Sequence, residues 1–261
     1  MLRGKDAGFC PASFKKKMTE TYRIADKVIQ ICSLHELVHR FCADYRVAGE
    51  PAEIRVEITQ EDIDRERERS ARERLLSGRP VIRHSDDHIE ELAVYRKIAE
   101  CMPLFDTVLM HGSCVAVDGE GYLFTAKSGT GKSTHARLWC RLLGDRAIMI
   151  NDDKPLVRIS DGGAVIYGTP WSGKHRLNTN CAVPLKAVCV LERAEQNSIH
   201  RITAAEAYPF LLQQIYRPSE ASAAVRTVQL IEKLPGVVDL WRLGCNMELE
   251  AAQIAYGAMK G

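Results

Sequence analysis

From Tyr22 onward the apolar residues recur at two intervals, one suited to strands and one to helices, and the interval switches repeatedly. YRIADKVIQICS (22–33) predicts a strand, LHELVHRFCADY (34–45) a helix and AEIRVEIT (52–59) a half-buried strand, so the chain begins β-α-β. In QEDIDRERERSARERLL (60–76) charges of both signs crowd out apolar positions, as in a solvated helix or loop laced with short-range ion pairs. DDHIEELAVYRKIAECM (86–102) restores a helical face of Ile89, Leu92, Ala93 and Ile98.

DTVLMHGSCVAV (106–117) predicts a strand, and a turn at Asp118-Gly119-Glu120-Gly121 joins it to YLFTA (122–126). THARLWCRLLG (134–144) is a helix stopped by Gly144, and AIMIND (147–152) a short buried strand ending on acids. Strands are expected in PLVRI, AVIYGT and KAVCVLE, then helices in AAEAYPFLLQQIY and SEASAAVRTVQLIEKL. VVDLWRL predicts a last strand and MELEAAQIAYGAM a last helix. With no internal repeat and no low-complexity linker, the expectation is one α/β domain over 18–261, with an N-terminal sub-lobe at 18–103 and a nucleotide-binding core at 104–261. Residues 1–17, rich in lysine and without period, read as a flexible basic extension.

Composition narrows the function classes only a little. The 261 residues are 46% hydrophobic, enough for a sizeable core, and 36 basic against 34 acidic residues give no charge excess that would suggest nucleic acid or a membrane as partner. Nine cysteines, at 10, 32, 42, 101, 114, 140, 181, 189 and 245, contain no C-x-x-C pair and sit mostly among apolar neighbours, as reduced core cysteines do. No apolar run reaches the roughly 18 residues of a membrane span, so a cytoplasmic protein is expected.

The chemistry concentrates between strand 122–126 and helix 134–144. Ser128-Gly129-Thr130-Gly131-Lys132-Ser133-Thr134 nearly fits the phosphate-loop pattern G-x-x-x-x-G-K-[ST], with Ala126 where the first glycine belongs. The strand-loop-helix setting is the one this loop needs, because backbone N–H groups and the helix N-terminus face the phosphates together. Lys132 would reach the β- and γ-phosphates and the Ser133 hydroxyl a Mg²⁺ ion, which implies a nucleotide such as ATP. Asp152 and Asp153 close a strand some twenty residues on, where one carboxylate can hold the metal and the other can take a hydroxyl proton. His111, in the strand before the hairpin, would lie beside the loop if the two strands are neighbours; alone, a histidine in an apolar strand is more often a satisfied core residue.

His-Gly, a hairpin, S-G-T-G-K-S and an Asp-Asp strand end, in that order, resemble the kinase domain of the HPr kinase/phosphorylase family and, more remotely, ATP-dependent phosphoenolpyruvate carboxykinase. The resemblance runs from Val108 to Glu192, about a third of the chain. It implies a carboxykinase-like P-loop domain with a mixed sheet flanked by helices. It also implies Asp152 as general base, Lys132 and Ser133 on phosphate and Mg²⁺, Asp153 as a second metal-side acid and His111 near the base. Where full HPr kinases carry Arg-Pro-Gly-[Lys/Arg]-Asn, this chain has GTPWSGKHRLN, whose Trp171, Lys174 and Arg176 form a candidate phosphate clamp. In this it resembles smaller HPr-kinase-like proteins, some of which accompany peptide-maturation systems.

The expected activity is therefore transfer of a phosphoryl group from ATP to a hydroxyl of a protein, a peptide or a small molecule, in a chain that could form a homo-oligomer. A nucleotide-binding regulatory module without transfer chemistry is the alternative. His35-Glu36-Leu37-Val38-His39 adds a remote third option, a zinc hydrolase of H-E-x-x-H type with Glu53 or Glu57 as third ligand. His84 and His88 have the same spacing.

Overall fold

The computed structural model describes residues 17–261, and the basic extension expected at the N-terminus lies outside the described residues except for Lys17, which pairs with Glu57. Strands β1 (Met18–Ile24) and β2 (Lys27–Ser33) form an antiparallel hairpin where one strand was expected. The turn residues Ala25 and Asp26 both have positive φ (49° and 62°), a tight two-residue geometry normally signalled by Asn-Gly. Asp26 is held in place by Arg158 (2.8 Å) and the Tyr167 hydroxyl (2.6 Å), so tertiary contacts stand in for turn propensity.

Helix α1 (Leu37–Phe41) leads through a short 3₁₀ turn to β3 (Ile54–Glu57), which pairs parallel with β2 and completes the expected β-α-β unit. Helix α2 (Gln60–Leu76) starts on a capping box between Thr59 and Asp62 and buries only Ile63 and Glu66, as its mixed charge predicts. Helix α3 (Asp86–Cys101) buries Ile89, Ala93 and Ile98.

The second sheet has nine strands: β4 (Thr107–Leu109), β5 (Gly112–Val117), β6 (Glu120–Thr125), β7 (Ala147–Asn151), β8 (Leu156–Ser160), β9 (Gly163–Tyr167), β10 (Ala182–Arg193), β11 (Ser198–Arg201) and β12 (Asp239–Cys245). The long β10 organises it. One edge of β10 runs parallel to β6; the other pairs antiparallel with β9 near its start and parallel with β12 towards its end. The sheet therefore branches and curls, with β4-β8-β9 on one arm and β7-β5-β6 and β12-β11 on the other.

Two sequence expectations change here. The strand expected over 106–117 breaks at Met110-His111, sending β4 to one arm and β5 to the other. Strand β7 is an edge strand paired with β5, so Ile148 is half exposed rather than buried. Strand β11 had no counterpart in the sequence pattern.

Helices α4 (Lys132–Leu143) and α7 (Leu249–Met259) cover one face, where Ala136, Trp139, Ala252, Ala255 and Met259 pack on Phe124 and Leu243. Helices α5 (Ala204–Gln214) and α6 (Ala221–Lys233) cover the other, with Leu211, Leu230 and Ile231 against Val188 and Ile166. The result is a mixed α/β fold whose curled sheet is flanked by helices. A third core lies under the N-terminal sheet and includes Leu109, Leu156 and Tyr167 from strands of the larger one and Trp171 from the loop after β9. Among the described residues no helix is long and apolar enough to cross a membrane.

Candidate functional site

Strand β6 ends at Thr125 and α4 begins at Lys132, so the small-residue stretch forms a loop between a central strand and a helix N-terminus. Gly129 (φ 82°) and Gly131 (φ 125°) take backbone conformations that L side chains rarely adopt. No side chain caps α4, which leaves its first backbone N–H groups available to an anion. Lys132 is buried, and its Nζ donates to the Ala126 carbonyl at 2.9 Å, closing the loop on itself. Burial pushes the Lys132 ammonium down from its usual range, against the opposing pull of Asp153 and Asp152.

Asn151 fixes the acid pair. Its buried side chain donates to the Thr169 carbonyl and hydroxyl (both 3.0 Å) and accepts from the backbone N–H of Asp153 (2.9 Å) and Lys154 (2.7 Å). The chain is thereby bent so that the two carboxylates part. Asp152, 6% exposed, accepts from the Ser113 hydroxyl at 2.8 Å, while Asp153 pairs with Lys154 and lies 3.4 Å from His111 Nε2. His111 sits in the gap between β4 and β5, anchored by its backbone N–H to the Gln214 carbonyl (2.6 Å). Burial lowers the His111 pKa, Lys132 lowers it further, and Asp153 opposes both.

These groups converge. His111, Lys132, Ser133, Thr134, Asp152 and Asp153 line a cleft of about 330 Å³ together with Ser128, Gly129 and Gly131. Thr130 is in the same loop, its N–H donating to the Lys127 carbonyl at 3.2 Å. Ser133 and Asp153 offer the hard oxygen ligands that Mg²⁺ prefers, and Asp152 a separate carboxylate.

The expected clamp does not assemble at this cleft. Trp171 is 3% exposed and packs against Tyr95 at 6.2 Å between ring centroids, so it is a core residue. Arg176 stacks on Phe41 and approaches Glu91 at 3.4 Å, turned towards the N-terminal layer. Lys174 is exposed on a loop whose Gly173 abuts Asp153, and the Leu177 carbonyl of the same segment accepts the Asp152 backbone N–H at 3.1 Å.

Two arginines reach the loop between β6 and α4 without having been foreseen. Arg193, at the end of β10, donates to the Gly129 carbonyl at 2.6 Å, and Arg79 donates to the Ser128 hydroxyl at 3.1 Å. Arg193 could have been flagged, because carboxyl ends of parallel strands gather at such sites. Arg79 carries no local signal.

The zinc alternative fails on geometry. Helix α1 begins at Leu37, after His35 and Glu36, and both ring nitrogens of His39 are engaged, Nδ1 with the Tyr22 hydroxyl (2.7 Å) and Nε2 with the Ser33 hydroxyl (2.8 Å). No three His, Cys, Asp or Glu side chains converge as a metal site among the described residues. His84 and His88 stack on one another, ring centroids 5.6 Å apart.

A family model described as "SynChlorMet cassette protein ScmC" matches residues 88–230, more than half of the chain. The chain belongs to the ScmC family. The ScmC match contains His111, the loop between β6 and α4, the acid pair and Arg193, while the N-terminal sheet, Arg79 and β12 fall outside it. No curated protein matches. Among solved structures, the HPr(Ser) kinase/phosphatase from Coxiella burnetii is similar at 11% identity, over 59% of this chain and 99% of that one, with a TM-score of 0.30. That likeness is too slight to carry a conclusion about this ScmC-family member.

Proposed function

We propose that this chain is an ATP- and Mg²⁺-dependent kinase that transfers the γ-phosphoryl group to a hydroxyl, with a serine of a protein or peptide as the acceptor class. One observation carries the reading. The uncapped N-terminus of α4, with Lys132, shares a single cleft with two carboxylates that are held apart and a histidine. A purely nucleotide-binding loop needs the first part and an oxygen ligand for the metal, but not a second buried carboxylate with its own hydroxyl partner.

In this reading the loop N–H groups and Lys132 hold the triphosphate and balance charge on the γ-phosphoryl oxygens. Ser133 and Asp153 would hold Mg²⁺, which supplies neutralisation of the phosphate oxygens. Ser113 occupies one oxygen of Asp152 and leaves the other to take the proton from the acceptor hydroxyl as that oxygen attacks the γ-phosphorus. The new O–P bond forms as the bond to the β-phosphate oxygen breaks, and ADP leaves. His111, with its pKa lowered by burial and Lys132, stays neutral beside Asp153 and orients it.

Calorimetry of ATP binding, together with transfer from labelled ATP to proteins and peptides encoded beside this chain, tests the proposal. Lys132→Ala should abolish binding. Asp152→Asn should keep ATP binding and lose transfer by about 100-fold or more, the scale of a general base. An Asp152→Asn protein that transfers phosphate at the normal rate would sink the mechanism.

A further inference from the structure

The phosphate loop is a partition with a cavity on each side. One is the charged cleft just described; the other, of about 490 Å³, shares Gly129, Gly131 and Thr134 with it and is closed by the ends of β10 and β12 and the turn that follows β12. The two differ in chemistry. The second cavity is lined by Ala194, Cys245, Asn246 and Met247, and Arg193, its one formally charged lining residue, is tied to the Gly129 carbonyl.

Position and chemistry both point to a ligand here. In a loop of this kind the phosphate chain runs from the lysine towards the first turn of the helix, so the end of a nucleotide distal to the γ-phosphate emerges past Thr134. Thr134 and His135 are the residues that the second cavity takes from that turn. His135 is 2% exposed, and its Nε2 accepts the Trp139 indole N–H at 3.0 Å. A neutral imidazole accepting at Nε2 carries its hydrogen on Nδ1. That Nδ1 is buried and has no hydrogen-bond partner. An unpaired buried donor is costly, and a ring nitrogen or carbonyl of a base is an acceptor that would satisfy it. Met247, which lines the same cavity and is 76% exposed, carries a thioether, a group that makes good contact with aromatic edges.

We propose that this second cavity receives the base and ribose of the nucleotide, with Met247 against the base and His135 Nδ1–H as a donor to it. The inference rests on the kinase reading for the triphosphate half of the ligand, and the following experiment separates the two. Binding of ATP and of inorganic tripolyphosphate, each with Mg²⁺, is measured by calorimetry on the full chain and on Met247→Ala and His135→Gln. Glutamine keeps an acceptor for Trp139 while removing the Nδ1 donor, and Met247 lies on the surface, so its loss should not impair folding.

The wild type should bind ATP more tightly than tripolyphosphate. Each substitution should weaken ATP by about 2- to 10-fold and leave tripolyphosphate unchanged. In ¹⁵N spectra the His135 Nδ1–H signal should move with ATP and stay in place with tripolyphosphate. Tripolyphosphate binding as tightly as ATP, or both substitutions weakening the two ligands equally, would overturn the base pocket and leave the phosphate loop standing. Failure of both ligands to bind the wild type would overturn the kinase reading and this inference with it.

Discussion

Ala126 stands where the phosphate-loop pattern carries glycine, yet it keeps ordinary dihedrals and buries its methyl group beside Phe124 and Ala136. The glycines that the loop does need, Gly129 and Gly131, are where positive φ occurs. The departure from the pattern therefore sits at a position governed by packing, and the carbonyl of Ala126 is what Lys132 holds. His135 shows the opposite case, a polar ring kept in the core at an electrostatic cost. Burial pushes its pKa from the ordinary 6.5 down to about 4. Between those values the unfolded chain binds a proton that the folded chain does not, so stability present at neutral pH is lost as pH falls through that window. A depression of that size is worth roughly 3 kcal/mol. His39, also lowered by burial, titrates in the same sense, so the informative quantity is a difference. Urea unfolding of wild type and His135→Gln between about pH 7 and pH 4 should show the wild type losing roughly 3 kcal/mol more than the variant. Equal losses in the two proteins would mean that His135 is not held neutral by the fold.

Strands and helices with a clear period were legible in the sequence, and so was the loop between β6 and α4, because periodicity and small-residue loops are local properties. The β1–β2 turn was not, since Ala25-Asp26 has no turn signature and depends on Arg158 and Tyr167 from the other sheet. The break at Met110-His111 was hidden for a related reason: both sides are apolar and β-prone, and only the branching of the sheet sends them apart. That break is what turns His111 from a strand residue into a cleft residue. The expected clamp failed because Trp171 satisfies a distant core and Arg176 a distant acid, partners that spacing cannot reveal. What brings the acid pair to the loop is instead the packing of segment 168–181 along the end of β7. Gly168 is where this packing is tightest: a Cβ there would lie 1.9 Å from the Thr179 carbonyl oxygen and 2.8 Å from that of Ile150. Thr179 in turn donates its N–H to the Ile150 carbonyl at 3.1 Å. Gly168→Ala should therefore cost about 3 kcal/mol, the upper end for overpacking, and should weaken ATP binding by displacing Asp152 and Asp153. Thermal melting and calorimetry check both effects; a variant that melts and binds like wild type would show that the segment yields freely.

The three-stranded sheet and the nine-stranded sheet share no strand, and their separation along the chain suggested a sub-lobe and a core. Their side chains do not respect that division. Leu109, Leu156, Tyr167 and Trp171 come from the chain beyond the sub-lobe, yet they belong to the core that Ile29, Ile31, Ile89 and Ile98 build beneath the N-terminal sheet. Trp171 is the largest of these contributions, and it leads directly into the Gly173 turn against Asp153. The N-terminal layer is thus packed onto the same segment that positions the acid pair, and its loss should be felt across the fold. Replacing Trp171 by alanine removes a buried indole, at a cost of about 3–5 kcal/mol. The tryptophans that remain, Trp139 and Trp241, lie in the separate core beneath α4 and α7, and so report on a part of the protein that Trp171 does not touch. If the two layers unfold as one unit, the denaturant midpoint read from their fluorescence should fall together with the midpoint read from far-UV circular dichroism. A fluorescence transition left at its wild-type position, with only the circular dichroism shifted, would show instead that the N-terminal layer melts independently. Phosphate transfer per folded molecule separates a core role from a clamp role in the same variant: it should persist at low denaturant if Trp171 acts only through packing.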